Sequence, residues 1–314
     1  MSEADDTETR RPYASEGVDT TVVDLRGDPA SIHRFTLLER IGVGGMGELH
    51  AAYDAQLDRK IALKLVRSGR GGREAEARLL REAQALAKLS HPNVVTVYEV
   101  GVEAERVFVV MEYIHGQTLT VWLAEQRSLP EHERVPALLA RFADAARGLI
   151  AIHRAGLAHR DFKPDNVLVG VDGRVRVVDF GLARSVGEPS IEHEPMSEYE
   201  SGVRDQVASE LDSDRLESML TPEIETMTGT VLGTPRYMAP EQWRARRGDS
   251  RSDQFSFCVA LYWALFGSWP FGGDVTTGLR AAVIAGDLQI PPRKPEVPAR
   301  LHAALIRGLA SRSE

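Results

Sequence analysis

The stretch His159-Arg-Asp-Phe-Lys-Pro-Asp-Asn166 decides how this chain of 314 residues is interpreted, because it places six polar or ionisable residues in eight positions. It follows a helical pattern and precedes an apolar strand predicted at 167–169. A solvated loop would also be polar. Dense titratable groups bounded by apolar elements are more typical of a functional site. We therefore predict a site in this loop.

A hairpin is predicted immediately after this loop, with strands at 167–169 and 175–178 and a two-residue turn at Asp172-Gly173. With that turn, Asn166 and Asp179 face each other at the open end of the hairpin. An amide carbonyl beside a carboxylate suits a hard cation such as Mg²⁺, which takes few protein ligands together with phosphate oxygens. Asp161 lies just upstream, close enough to act on a hydroxyl beside that metal.

A glycine-rich segment, Ile41-Gly-Val-Gly-Gly-Met-Gly-Glu-Leu49, lies nearer the N-terminus and has G-x-G-x-x-G spacing. Glycines without Cβ atoms let backbone amides approach phosphate oxygens closely. A dinucleotide-binding fold uses the same spacing but continues into a helix. Here residues 49–53 are predicted to form a second strand, so the loop joins two strands. A plain glycine hairpin is the alternative to a phosphate-binding loop.

Lysine is rare in this chain, since only five of the 38 basic residues are Lys. A retained Lys is a candidate for a role that needs a compact ammonium, although chance is enough for all but Lys64 and Lys163. Lys64 lies on a strand predicted at 61–66. Glu82 falls inside an apolar stripe of a helix predicted at 73–89, where an unpaired carboxylate is costly. We therefore predict a Lys64–Glu82 ion pair, the alternative being that Glu82 reaches water at the edge of the stripe.

The predicted elements form two lobes. The first is rich in strands, at 35–41, 48–54, 61–66, 94–100 and 107–113, with the one helix at 73–89. The second is helical, with segments near 253–266, 275–285 and 299–309. Its long first helix is predicted to bury one face, formed by Leu138, Phe142, Ala145, Leu149 and Ile152.

Charge is unevenly distributed. Residues 1–34 carry eight acids and four Arg, residues 187–227 carry twelve acids and two Arg, and the whole chain has a net charge of −8. Both acidic segments are therefore predicted to be solvated and disordered, with a regulatory helix at 203–220 as the alternative for the second. The remaining body is mildly basic without a basic stripe, which argues against nucleic-acid binding.

A single cysteine, no secretory h-region and no apolar run of about 20 residues favour a cytoplasmic protein without a membrane span.

Together these segments resemble the protein kinases, and within them the bacterial Hanks-type (eukaryotic-like) serine/threonine kinases. The resemblance covers residues 35–312 and rests on GVGGMG, IALK, HRDFKPDN, DFG, GTPRYMAPE and SDQFSF in this order. It implies an α+β, two-lobed fold: an antiparallel-sheet N-lobe at 35–114 and a larger, mainly helical C-lobe at 115–314. Residues 1–34 become a leader and 187–227 an insert in the activation segment. The last C-lobe helix of the family is expected to be missing.

The resemblance implies ATP- and Mg²⁺-dependent phosphoryl transfer to Ser/Thr hydroxyls of proteins, including autophosphorylation, by a signalling kinase, with Mn²⁺ as an alternative cation. It assigns catalysis to four residues: Asp161 as the proton acceptor, Lys163 and Lys64 as phosphate contacts, and Glu82 as the partner of Lys64. It assigns the metal to Asn166 and Asp179. The ATP-binding positions it implies include the gatekeeper Met111 and the hinge, residues 112–114; they are Ile41, Gly42, Val43, Gly44, Gly45, Met46, Gly47, Glu48, Leu49, Ala62, Lys64, Met111, Glu112, Ile114 and Leu168.

Regulation is expected at Thr226, Thr228 and Thr230, which precede the GTP segment. Arg160 is the predicted phosphate sensor, because its guanidinium can bind a phosphothreonine bidentately. Solvated hydroxyls without a regulatory role are the alternative. Self-association is left open as a route to trans-autophosphorylation.

A non-catalytic pseudokinase and a small-molecule phosphotransferase are the rival functions. The intact catalytic residues weigh against the first, and the GTPRYMAPE segment weighs against the second.

Overall fold

The computed structural model describes residues 31–44, 47–66, 72–103, 106–179, 235–274 and 278–310. Within these residues the chain forms a sheet-rich N-lobe and a mainly helical C-lobe, as the sequence predicts. The N-lobe sheet is antiparallel, in the order β1-β2-β3-β4-β6-β5. Its strands are β1 Ser31–Ile32, β2 Phe35–Gly44, β3 Gly47–Asp54, β4 Arg59–Val66, β5 Val97–Glu103 and β6 Arg106–Glu112, and helix α1 spans Gly72–Ala87.

The N-lobe sheet begins earlier than the sequence predicts. β1 pairs Ser31 with Thr36 and Ile32 with Phe35, so residues 31–34 belong to the sheet and not to the leader. His33 makes the turn with a φ of 54°, and Arg34 donates to Glu99 at 2.5 Å. A two-residue strand has no hydrophobic period, which is why the sequence pattern missed it. Residues 1–30 lie outside the described residues.

β5 begins later than the predicted 94–100. Val94 instead bridges to Val177 in the C-lobe, and the Val95 amide donates to the Val177 carbonyl at 3.0 Å. The apolar run from Val94 therefore serves two structures, first a connection to the C-lobe and then the sheet edge.

The C-lobe contains six described helices and a second sheet. The long helix buries the predicted face of Leu138, Phe142, Ala145, Leu149 and Ile152, so that prediction is confirmed. Among the described helices, none is long and apolar enough to cross a membrane. The helices are α2 Leu119–Glu125, α3 Glu131–Arg154, α4 Pro240–Trp243, α5 Ser250–Phe266, α6 Leu279–Ala285 and α7 Ala299–Leu309; the strands, in the order β7-β8-β9, are Gly116–Thr118, Val167–Gly170 and Val175–Val177.

The β8–β9 hairpin has a different turn from the predicted one. The strands pair Val167 with Val177, and the Gly170 amide donates to the Arg174 carbonyl at 2.9 Å, so the loop has three residues, 171–173. Gly173 completes this loop with a φ of 77°, a conformation that glycine adopts without strain. The register therefore shifts by one residue, and the partner of Asn166 is Val178, not Asp179: the Val178 amide donates to the Asn166 carbonyl at 2.9 Å.

Helix α5 lies at the centre of the C-lobe and is mostly buried. Asp249 caps its N-terminus by accepting from the amides of Arg251 and Ser252, and Gly267 ends it with a φ of 72°. Because its sequence is apolar on nearly every side, a charged residue inside it needs a specific partner. Asp253, in its first turn, has several, and they belong to the candidate site. The predicted insert at 187–227 lies outside the described residues.

Candidate active site

One buried carboxylate, that of Asp253 on α5, anchors the loop of residues 159–163 through hydrogen bonds. Its Oδ2 accepts from the amide of His159 at 2.7 Å and from Nε2 of His153 at 2.8 Å, and its Oδ1 accepts from the amide of Arg160 at 2.6 Å. Burial raises the pKa of Asp253, but the His153 bond, the charge of the His159 ring and the two amides outweigh it, so the net pKa lies below its ordinary value. The buried group is therefore an anion.

These bonds hold a strained backbone. Arg160 has a φ of 63°, a left-handed conformation that a residue with a Cβ adopts only when its surroundings impose it. Besides its bond to Asp253, its carbonyl accepts from the side chain of Gln242 at 2.9 Å. The ring of His159 is fully buried and donates to the carbonyl of Val178 at 2.9 Å. The loop is thus fixed both to α5 and to the end of β9.

Two of the predicted site residues, Lys163 and Asn166, converge on Asp161. Nζ of Lys163 lies 3.2 Å from Oδ2 of Asp161. The side-chain amide of Asn166 donates to the Asp161 carbonyl at 2.8 Å and to its Oδ2 at 3.2 Å. A carboxylate oriented by a cation and an amide can accept a proton from a hydroxyl that reaches it. These contacts make Asp161 a candidate general base.

The predicted metal ligands fit a hard cation. Because the amide nitrogen of Asn166 is used by Asp161, its Oδ1 is the atom left to ligate, and no donor among the described residues bonds to it. Asp179, with a φ of 57°, presents a carboxylate that is 39% exposed. Carboxylate and amide oxygens are the ligand types that Mg²⁺ prefers. The donor set therefore fits magnesium, although the two residues are not the cross-strand pair expected.

The predicted Lys64–Glu82 pair is not formed in this structure. Lys64, on β4, is 7% exposed, and its ammonium pairs with Asp179. Glu82, on α1, accepts at Oε1 from Nη2 of Arg247 at 2.7 Å and from Nη1 of Arg160 at 3.2 Å. The prediction that Glu82 needs a cation is right, but the cations are two guanidinium groups of the C-lobe. These two guanidinium groups connect α1 to the C-lobe. The ammonium of Lys64 is instead paired with Asp179.

The glycine-rich segment joins two strands, as predicted. β2 and β3 pair Gly42 with Leu49 and Gly44 with Gly47. Gly47 has a φ of 140°, and a Cβ there would overlap the carbonyl oxygen of Leu65. Only glycine fits this position. Gly45 and Met46, which the sequence analysis also assigns to ATP, lie outside the described residues.

The remaining predicted ATP-binding positions are distributed over both lobes. Ala62 is buried and lies opposite Met111 in the β4–β6 register. Several of the apolar positions are partly or largely exposed, whereas Val110 beside Met111 and Val167 beside Leu168 are buried, and accessible apolar side chains are typical of the lining of a ligand site. They are Ile41, Val43, Leu49, Met111, Ile114 and Leu168.

Sequence analysis missed two residues that support this site. Asp253 was quoted only as part of SDQFSF, and Arg176 was not singled out. Arg176 is 4% exposed between two buried valines of β9 and contacts both Glu112 of the predicted hinge and Asp172. The same signal would have found both, a charged residue inside an apolar stretch, because a buried charge implies a specific partner.

The predicted phosphate sensor is described, but its expected ligands are not. Arg160 donates from Nε to the carbonyl of Gly248 at 3.1 Å, in addition to its contact with Glu82. Thr226, Thr228 and Thr230 lie outside the described residues.

Comparison with known proteins identifies relatives over most of the chain. The family model described as "Protein kinase domain" matches residues 35–297. The serine/threonine-protein kinase PknL of Mycobacterium tuberculosis is 36% identical over 242 residues, which cover 77% of this chain and 51% of PknL. PknB of Mycobacterium leprae is 32% identical over 289 residues, which cover 90% of this chain and 40% of PknB. The chain thus spans about half the length, or less, of these curated relatives.

A solved structure shows the same fold. The kinase domain of Mycobacterium tuberculosis PknI, solved as a cysteine-to-alanine mutant, superposes with a TM-score of 0.58, covering 90% of each chain at 23% identity.

Proposed function

Because the chain belongs to the protein kinase family, as a bacterial Hanks-type serine/threonine kinase domain, we propose that it transfers the γ-phosphoryl group of ATP to Ser and Thr hydroxyls of proteins, its own included. A bond forms between the hydroxyl oxygen and phosphorus, the bond from phosphorus to the ADP oxygen breaks, and the hydroxyl proton passes to Asp161. The observation that carries the proposal is the convergence of Lys163 and Asn166 on Asp161.

The side chains around Asp161 have separable tasks. Asp161 orients the hydroxyl and accepts its proton, and Lys163 keeps a positive charge beside it. Lys64 supplies a compact ammonium for phosphate oxygens, a role that suits Lys better than Arg. Asn166 and Asp179 would hold the magnesium ion, which when bound neutralises charge on the phosphoryl group. Catalysis in this family is positioning and charge stabilisation, so each contact is expected to matter.

Incubation of the purified chain with labelled ATP, Mg²⁺ and a generic basic protein tests the proposal. Wild type is expected to label itself and the substrate, whereas Lys64→Met, Asp161→Asn and Asp179→Asn lose roughly 100-fold or more of the rate. Lys88→Met is the control, because Lys88 is an exposed lysine just beyond the end of α1. Near-normal labelling by the Lys64 or Asp179 variant would contradict the proposed kinase activity. A wild type that binds ATP without transferring phosphate would favour the pseudokinase.

We also propose that the kinase activates itself by phosphorylating Thr226, Thr228 or Thr230. A phosphothreonine carries about −1.5 to −2 charges, and Arg160, directly before Asp161, can bind it bidentately. Since Arg160 donates to Glu82, a phosphate that captured Arg160 would compete with Glu82. Mass spectrometry after expression, and the rate of the triple Ala variant, test this. An active enzyme with all three unmodified contradicts it. A rate per enzyme that rises with enzyme concentration indicates trans-autophosphorylation between self-associating copies.

The acidic segment at 187–227 is proposed to be dispensable for the chemistry, because its net charge and its scattered Ser, Pro and Glu residues do not support a packed core. Deleting 187–224 is expected to leave ATP turnover on a basic protein within a few-fold of wild type. Total loss of turnover would instead support the regulatory helix at 203–220. Because the reaction consumes ATP, we place the domain in the cytoplasm.

A further inference from the structure

A buried guanidinium connects the hinge to the β8–β9 loop. Arg176 donates from Nη1 to Oδ1 of Asp172 at 3.2 Å and from Nη2 to Oδ2 at 2.8 Å, and Nη2 also lies 3.1 Å from Oε1 of Glu112. Its side chain is 5% exposed. Two carboxylates thus share one cation that water hardly reaches, and the buried guanidinium depends on them for compensation.

The strand register directs this side chain towards the predicted adenine site. Arg176 lies opposite Leu168 in the β8–β9 pair, and directly opposed residues project from the same face of a sheet. Its neighbours Val175 and Val177 point to the other face and are fully buried. Arg176 therefore shares its face with a residue predicted to contact the nucleotide, and it extends from there to Glu112.

The backbone around Arg176 and the hinge is fixed at several points. The side chain of Asn93 donates to the carbonyl of Val175 at 2.9 Å, and the Val177 amide donates to the carbonyl of Asn93 at 2.9 Å. Beyond the hinge, the Val171 amide donates to the carbonyl of His115 at 2.8 Å. The base of Arg176 is thus immobilised, which lets its far end define where Glu112 lies.

We propose that Arg176, oriented by Asp172, is a positioning residue that holds the hinge through Glu112 and thereby sets the affinity for ATP. The inference rests on the proposed function, because it takes the hinge to be the adenine-binding segment. Arg176 acts on the hinge through Glu112, whereas the proposed proton transfer takes place at Asp161. Loss of Arg176 is therefore expected to weaken ATP binding more than it slows the chemical step.

Two features support the ion pair between Arg176 and Asp172. A Cβ at Gly170 would lie 3.0 Å from Nη1 of Arg176 and closer still to Asp172, so glycine leaves room for the bidentate contact. The bond from Arg176, with further bonds from Arg174, holds the pKa of Asp172 far below its usual range. The carboxylate stays ionised at all working pH values, and the effect of Arg176 on ATP binding is expected not to change between pH 6 and 9.

Calorimetric titration with ATP, combined with steady-state kinetics, tests the proposal. Arg176→Gln is expected to raise Kd and KM for ATP about tenfold while kcat stays within about twofold, because charge-assisted hydrogen bonds to the hinge are lost. Arg176→Lys keeps the charge and should recover part of the affinity. Glu112→Gln should resemble Arg176→Gln, and the double variant should be no worse than either single one. Arg174→Gln is the matched control, since Arg174 also bonds Asp172 but is 58% exposed.

Thermal melting shows whether each variant folds, and Glu112→Gln and Arg176→Lys carry the test if Arg176→Gln does not. The inference is overturned if ATP affinity in the folded variants stays within twofold of wild type. It is overturned equally if affinity rises, if kcat falls at constant KM, or if the two single effects add. Failure of the wild type to bind or use ATP would instead overturn the proposed function, so the two failures are distinguishable.

Discussion

Replacing Asp253 by Asn removes a buried charge while keeping the shape of the side chain. The carboxylate accepts three hydrogen bonds, two at Oδ2 and one at Oδ1, all from the loop or from the helix that precedes it. An Asn amide offers one accepting oxygen and one donating nitrogen. The better orientation keeps the oxygen towards His159 and His153 and turns the NH₂ group against the amide of Arg160.

The cost follows from those contacts. One buried N–H of Arg160 loses its acceptor, which costs about 1–3 kcal/mol, and two charge-assisted bonds become neutral ones at about 0.5–1 kcal/mol each. We therefore expect Asp253→Asn to lower the free energy of unfolding by about 3 kcal/mol, and Tm by about 10 °C for a domain of this size. Arg160 directly precedes Asp161, and a displacement of about 1 Å at a reacting group can cost about 100-fold in rate.

Calorimetric melting and kcat for a basic protein substrate measure the two effects. Asp249→Asn is the matched control, because Asp249 caps the same helix through the amides of Arg251 and Ser252, and Asn is an equally good N-cap. Its Tm and kcat should stay close to those of wild type. If Asp253→Asn melts within 2 °C of wild type and retains its kcat, Asp253 does not hold the loop, and the reasoning from its three bonds is refuted.

The remaining predictions concern acid stability, a thiol and two glycines. Because the folded pKa of Asp253 is lowered, the stability it contributes is present above about pH 4 and lost as pH falls below that; acid unfolding followed by circular dichroism should show this loss in wild type and not in Asp253→Asn. Burial raises the pKa of Cys258 to about 12, so native protein should resist iodoacetamide at pH 8 and react once unfolded; labelling of the folded protein contradicts this. Gly308→Ala would press a Cβ against Sγ of Cys258 and should cost about 1–3 kcal/mol in chemical denaturation, whereas unchanged stability would show that α7 moves freely. Gly47→Ala should raise KM for ATP while leaving the C-lobe intact, and an unchanged KM would show that the β2–β3 turn does not contact ATP.

Local periodicity was enough to predict most of the fold. Helix α7 has the predicted bounds, and the buried face of α3 is the predicted one, because period-3.6 and period-2 patterns directly report which side chains leave water. The β8–β9 turn was predicted one residue too short. Asp172-Gly173 is compatible with both a two-residue and a three-residue loop, and only the pairing of Gly170 with Arg174 decides between them.

Charged residues inside apolar stretches show where sequence reasoning stops. For Glu82, Asp253 and Arg176, the sequence indicates that a partner is needed, because an uncompensated buried charge is costly. Which partner is used depends on distances between elements far apart in the chain, and these are not encoded in any local pattern.

Glu82 illustrates the consequence of that choice. Two guanidinium partners of Glu82 come from the loop of residues 159–163 and from the segment before α5, and Arg160 is itself fixed by Asp253. Helix α1 of the N-lobe is therefore connected by charge to the same loop that carries Asp161. Any group that takes Arg160 from Glu82 must change the position of α1 or leave a carboxylate with one partner fewer. In this chain the position of α1 and that of the loop at 159–163 are therefore not independent.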